Sequence, residues 1–261
     1  MFAARGGFFA QSAASDPNPR RVGTSSTNAS VTWTPTSATT STAQKQFGTA
    51  SMLINGNDTY QIQSNTSSFL NVGSGEFAIE WWIYIPSSGS WSTTASCDLL
   101  SNDTGYGFGI RLAKQYDNNG LGTGNQYIAC FARQQADLTY WTLSSTWTRD
   151  TWHHCVMQRK GTTMSFWWNG QLQTGNDSNG AAGTYAFASS GTNVKIGTAD
   201  GGNGIKYAYI DEICFSNTYR YSDTTIDISV PTAAYTLDSY TNQLLHLDGT
   251  NGGTTFTNVT S

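Results

Sequence analysis

The stretch GEFAIEWWIYIP, residues 75–86, decides the fold class. Phe77, Ile79, Trp81, Ile83 and Ile85 recur at every second position, and the two-residue period of a strand places all five on one face. That face is core. Trp82 and Tyr84 point the other way, as on an inner strand whose second face is partly covered by a loop or a partner. Further on, TWHHCVMQRKGTTMSFWWNGQL (151–172) reads as two strands joined at Lys160-Gly161. Asn169-Gly170 closes the next turn, because both residues can adopt the positive φ of a type I′ turn. Met164, Phe166 and Trp168 are expected opposite Trp152, His154 and Val156. This pair should form the centre of the core, each large side chain contributing about 1.5–3 kcal/mol when buried.

Outward from these segments the pattern continues as short strands separated by turn residues, the signature of a sandwich or barrel. Further strands are predicted over 51–54, 59–63, 99–101, 107–112, 126–133, 138–143, 194–197, 205–216 and 243–247. Only 11% of the 261 residues are charged, with three Glu and five Lys, so hydroxyls and amides must wet the surface. The long unbranched side chains that favour exposed helices are nearly missing, and little helix is expected. A net charge of −4 leaves no basic stripe to neutralise phosphates, which argues against a nucleic-acid partner. No apolar run reaches the 18 residues of a membrane span, so no membrane insertion is expected.

Residues 1–43 differ in composition from the rest: Gly-Gly, then DPNPRR, then a Ser/Thr/Ala/Pro tract with a lone Trp33. The segment reads as an extended N-terminal arm before a domain spanning 44–261. It is either a loose tail or an anchor whose Phe2, Phe8 and Phe9 dock on another chain. Arg5, Gly6 and Gly7 break its apolar start, so it is read as retained and not as a cleaved leader, which argues against ordinary secretion. Cys97, Cys130, Cys155 and Cys214 form no C-x-x-C pair, so neither zinc nor a redox dithiol is indicated. Three of them sit in apolar runs and read as small buried hydrophobes, with a disulfide left open.

Four segments carry a family resemblance: FGTASMLINGNDTYQI (47–62), GEFAIEWWIYIP (75–86), the strand pair of 151–172, and YIDEICFSNTYRY (209–221). Their order and spacing resemble the concanavalin A-like, laminin G-type jelly roll of many lectin-like and phage structural proteins. The fold this implies is all-β, a two-sheet antiparallel jelly-roll sandwich. A fifth segment, QLLHLDGTNGGTTFTN (243–258), resembles the family's usual first strand yet stands last. It either closes the sandwich from the C-terminal side, as in a circular permutation, or pairs with a neighbouring chain. Joined to a Ser/Thr-rich, Lys-poor chain, this phrase resembles bacteriophage virion proteins most. The implied role is a capsid decoration, capsid fibre or tail appendage. Such a protein would assemble in the host cytoplasm, bind other virion proteins through its arm and show its sandwich on the virion surface.

The resemblance also makes a glycoside hydrolase and a carbohydrate-binding adhesin worth weighing. Hydrolysis needs two carboxylates about 5–9.5 Å apart, and the Glu-x-Asp-x-x-Glu strand motif of related glucanases does not occur here. Glu76 and Glu80 share a face but lie about 13 Å apart along a strand, and Asp211 and Glu212 are adjacent and diverge. No enzyme is expected. Asp211-Glu212 interrupts an apolar strand, which requires either a bulge or an inward carboxylate, and the resemblance implies for it a structural role accepting hydrogen bonds, with ligand binding as the alternative. His153 and His154 diverge as strand neighbours and cannot chelate one ion, and His246 is isolated in sequence.

Sugar binding would use loop aromatics flanked by amides: Trp91, Tyr106, Tyr116, Trp141 and Trp147 near Asn102, Asp103 and Asn118. The same residues equally suit subunit contacts, and a homo-oligomer is expected. No cofactor is required. Calcium is the one candidate, because lectin-like relatives hold it in Asp- and Asn-rich loops; here these offer Asp58, Asp200, Asn203, Asp248 and Asn251. Asx-Gly clusters of this kind also serve as plain turns.

Overall fold

The computed structural model describes residues 16–24, 30–55, 60–88, 96–101, 108–113, 127–132, 139–142, 148–177, 180–187, 193–198 and 207–259. Its strands are β1 (Thr32–Pro35), β2 (Thr39–Ser41), β3 (Ser51–Asn55), β4 (Ile62–Ser64), β5 (Phe77–Tyr84) and β6 (Ser96–Ser101). There follow β7 (Phe108–Ala113), β8 (Tyr127–Ala132), β9 (Thr139–Thr142), β10 (Trp152–Lys160), β11 (Thr163–Trp168) and β12 (Gln171–Leu172). The last are β13 (Gly175–Asp177), β14 (Lys195–Thr198), β15 (Tyr207–Ser216), β16 (Thr241–Leu245) and β17 (Phe256–Thr257). Two short 3-10 turns, Ser68–Leu70 and Ala182–Thr184, are the helical elements among the described residues.

The strands form two antiparallel sheets, the sandwich that the alternation of hydrophobic residues predicts. One runs β13-β9-β8-β7-β6-β14-β4-β1-β17, the other β12-β11-β10-β5-β15-β3-β2, with β16 paired to β15 beyond the end of β3. On β5, Phe77, Ile79, Trp81 and Ile83 enter the layer between the sheets, where they meet Ile110, Phe166, Ile196 and Ile210. The opposite face of β5 is buried as well, Glu80 completely and Trp82 to 4% exposure. Residues 16–24 and the segment after β15 cover it, making a second interior layer outside the sheet.

That second layer corrects the phase expected for β10 and β11. Met164, Phe166 and Trp168 stand opposite Arg159, Met157 and Cys155; His154 and Val156 face the outer layer, where Val156 packs with Trp167, Tyr221 and Ile228. Both alternations of WHHCVMQR are buried, so hydrophobicity alone did not single out the inter-sheet face. The Asn169-Gly170 turn has φ of +49° and +82°, as a type I′ hairpin requires. Gly161-Thr162 forms the preceding loop, with Gly161 at +56°.

The boundary expected at residue 43 moves upstream. β1 and β2 are strands of the two sheets, and Val31, Trp33 and Ala38 are core residues. Trp33 supplies the large apolar side chain that the Ser/Thr-rich tract otherwise lacks, stacking at a tilt on Phe69 with ring centroids 6.0 Å apart. The C-terminal phrase closes the sandwich within its own chain: β16 pairs with β15, Ile213 opposite Leu245, and β17 pairs with β1, Trp33 opposite Phe256. Cys155 and Cys214 are buried free thiols.

Candidate functional site

Three polar constellations stand out against this apolar frame. The first explains the residues between β15 and its neighbours. Asp211 and Glu212 lie at a register shift of β15 against β5, with Glu212 at φ +53°. Asp211 Oδ2 accepts the backbone N–H groups of Gln46 (2.8 Å) and Phe47 (3.2 Å), and Oδ1 that of Glu212 (3.0 Å). Burial pushes the Asp211 carboxyl up to about 8 against the pull of these donors. Glu212 accepts the Tyr235 N–H (2.8 Å) and pairs with His246 Nδ1 at 2.6 Å, which raises the histidine. Asp248 accepts the N–H of Ala50 at 3.0 Å and the Thr49 hydroxyl at 2.9 Å. The segments that carry the family resemblance (47–62, 209–221 and 243–258) thus meet in one clasp around residues 46–50.

The second constellation fastens residues 16–24 as a strap. Arg20 reaches the fully buried Glu80 with Nε 3.0 Å from each carboxylate oxygen and Nη2 2.7 Å from Oε2. Burial alone would raise the Glu80 carboxyl, but Arg20, with Arg220 behind it, holds it below the usual carboxylate range. Arg220 in turn binds Asp238 at 2.6 Å and Ser216 at 2.7 Å. Tyr221 donates its hydroxyl to Glu80 at 3.2 Å. His154, on the same layer, touches the Tyr235 hydroxyl at 2.7 Å, and burial pushes it down to about 4. Asn18, wholly buried, exchanges two hydrogen bonds with the Asp223 backbone, and Arg21 lies 4.1 Å over the Tyr219 ring. Sequence reasoning missed Arg20 and Arg21; the available signal was the only Arg-Arg pair in a chain with few charges.

The third is a cleft of about 360 Å³ where the β9-β13 edge of one sheet meets the β11-β12 edge of the other. Thr139, Trp141, Met164, Ser165, Leu172, Gln173 and Asp177 line it together with Thr162, Thr163 and Thr224. Thr139 donates its hydroxyl to Asp177 Oδ1 at 2.6 Å and accepts the Ala182 N–H at 2.8 Å, which fixes the carboxylate and the 3-10 turn beside it. Gly183 lets that turn close: a Cβ there would fall 1.9 Å from the Thr162 carbonyl oxygen.

The model of the concanavalin A-like lectin/glucanases superfamily matches residues 55–224. The chain belongs to this superfamily. The strap, β1, β2 and the closing strands β16 and β17 lie outside the matched range. No curated protein matches this superfamily member in sequence. Among solved structures its fold is similar to the binding domain of Paraclostridial Mosquitocidal Protein 1, at 14% identity and a TM-score of 0.49. That likeness covers 84% of this chain and 49% of the other, so the chain spans about half of that domain's length. Domain 4 of AbnA, an extracellular arabinanase of Geobacillus stearothermophilus, is similar at 13% identity and a TM-score of 0.43, over 76% of this chain and 84% of that one. Tailspike protein 2 of Escherichia coli O157:H7 bacteriophage CAB120 is similar at 12% identity and a TM-score of 0.46, over 78% and 27%.

In this lectin/glucanase-superfamily chain the residues singled out from sequence fare differently. Trp141 is not an exposed platform: it is 1% exposed and packs on Phe166 with ring centroids 5.7 Å apart, forming the floor of the cleft. Being an inward position of β9, paired between β13 and β8, it is claimed by the core. Asp248 and Asn251 point their oxygens at the chain itself, Asn251 accepting the Thr42 N–H at 3.2 Å. No group of three metal-capable side chains forms among the described residues. Trp91, Tyr106, Tyr116, Trp147, Asn102, Asp103, Asn118, Asp58, Asp200, Asn203, Phe2, Phe8 and Phe9 lie outside the described residues. His153 and His154 diverge, the first bonded to the Thr148 carbonyl at 2.7 Å.

Proposed function

We propose that this chain is a non-catalytic, lectin-like binding module shown on a bacteriophage particle as a capsid decoration, capsid fibre or tail appendage. The observation that carries the non-catalytic half concerns its acids. Glu80, Asp211, Glu212 and Asp238 are the buried carboxylates among the described residues, and each is engaged by donors of the chain itself. A glycosidase needs one carboxyl free to protonate the leaving oxygen and a second free to attack or to activate water. The edge cleft, lined by the hydroxyls of Thr162, Thr163, Ser165 and Thr224 and by Asp177, is a location suited to holding a ligand.

The virion half rests on the resemblance of the LLHLDGTNGGTTF phrase in a Lys-poor chain, and on buried thiols that suit assembly in a reducing cytoplasm. Residues 1–15, with Phe2, Phe8 and Phe9, precede the strap and are the segment this reading assigns to anchoring on other virion proteins. Removing residues 1–15 is expected to leave a folded protein that no longer enters particles; particles carrying the truncated chain would overturn the assignment. Incubation with polysaccharides is expected to release no new reducing ends. A carbohydrate-binding adhesin acting on host surface glycans is the second reading, favoured by the hydroxyl-lined cleft, and it is compatible with display on a particle.

A further inference from the structure

We infer that the edge cleft is the ligand site and that it takes a neutral glycan, an inference that rests on the lectin-like reading above. The first ground is a set of hydroxyl donors and acceptors. Thr162 and Thr163 are exposed and Thr224 is half-buried, and together with Ser165 they line the cleft with hydroxyls. The Trp141 indole lies on the cleft floor. Hydroxyls that meet water in the free chain can exchange it for the hydroxyls of a sugar.

The second ground is how the structure keeps these groups open. Gly175 stands opposite Trp141 across β13 and β9, and a Cβ there would lie 2.7 Å from the indole nitrogen. Glycine at this position leaves the N–H facing the cleft. Asp177, held through Oδ1 by Thr139, keeps Oδ2 for a hydroxyl donor. Met164 and Leu172 add apolar surface, the combination that the two faces of a pyranose require: C–H groups against carbon, hydroxyls against oxygen.

Charge decides the class of glycan. Among the described lining residues the one ionisable side chain is Asp177, and neither lysine nor arginine is present. A sialylated, uronate or sulfated sugar would bring an anion beside that carboxylate with no cation among the described lining residues to balance it, an arrangement that costs binding energy. Neutral hexoses and pentoses meet no such penalty.

A glycan array read with the full chain, followed by calorimetric titration of the strongest hit, tests this. Neutral glycans are expected to bind. Gly175→Ala, Asp177→Ala and Thr163→Trp should each weaken the hit at least tenfold, with melting temperature held near that of the parent. Thr257→Trp, on the opposite edge of the nine-stranded sheet, should leave affinity unchanged. Binding that survives the three cleft variants overturns the cleft and leaves the lectin-like reading standing. Preference for acidic glycans overturns the neutral class alone. An array blank for neutral and acidic glycans alike overturns the lectin-like reading together with this one.

Discussion

A carboxylate with no exposure, as at Glu80, is tolerated in an apolar layer only while a cation stays on it. Arg20 supplies that cation from a segment 60 residues away in sequence. Arg20→Ala should therefore cost about 3 kcal/mol in denaturant unfolding, because Arg220 remains 4.0 Å away and compensates only in part. The double change Arg20→Met with Glu80→Gln should recover most of the loss, since it removes both charges at similar volume. A second residue-scale expectation concerns His154, fully buried and depressed to about 4. A histidine with a depressed folded-state pKa stabilises the folded chain fully above about 6.5, its unfolded value, and loses that contribution as pH falls toward 4. The gap corresponds to about 3 kcal/mol. Unfolding free energies between pH 7 and 4 should fall more steeply for the parent than for His154→Gln; parallel slopes would show that His154 is not the group that titrates.

At the scale of elements, the glycines of consecutive turns separate two costs that sequence treats alike. Gly161 has φ +56° and open space around its Cβ position, whereas Gly170 has φ +82° and the Ile228 carbonyl oxygen 2.5 Å from where a Cβ would lie. Gly161→Ala should cost about 1 kcal/mol, the left-handed backbone term alone. Gly170→Ala adds a clash with backbone that cannot rotate away, and its melting temperature should fall distinctly further. The same contrast shows what was legible beforehand. β5, β10, β11 and β15 announced themselves as runs of six or more residues rich in aromatic and aliphatic side chains. β1 (TWTP), β2 (TTS) and β17 (FT) are two to four residues with at most one aromatic each, and nothing local distinguishes such strings from loop; only the partner strand makes them strands. The phase of β10 was illegible for another reason, because WHHCVMQR is buried on both faces. At the site, Trp141 could be picked out as an aromatic beside a loop, but its burial depends on Phe166 and on pairing with β13. The close approach of Gly183 to Thr162 and the bond from Thr139 to Asp177 join positions that no spacing relates.

For the whole molecule, the strap alters what a truncation means. Residues 1–43 read from sequence as one arm, yet the structure divides them: 30–43 build strands, and 16–24 lie across the outer face of the eight-stranded sheet, closing a layer that holds Glu80, Tyr221, Tyr235 and Arg220. Two deletions that differ by the strap should then behave differently. Loss of residues 1–15 keeps Arg20 and its bonds to Glu80, and the melting temperature should stay within about a degree of the parent. Loss of residues 1–24 takes away Arg20, the Asn18 bonds to Asp223 and the Arg21 N–H to the Arg220 carbonyl (2.7 Å). A deficit of about 3 kcal/mol in a chain of this size lowers the melting temperature by roughly 6–12 °C. Part of that fall should return when Glu80→Gln is combined with the longer deletion, because the uncompensated charge, and not merely lost packing, drives it. If the 1–24 deletion melts with the parent, the strap is ornamental and the outer layer is held by the segment after β15 alone. If instead Glu80→Gln restores nothing, packing of the strap outweighs its ion pair, and the sandwich depends on these nine residues as it does on a strand.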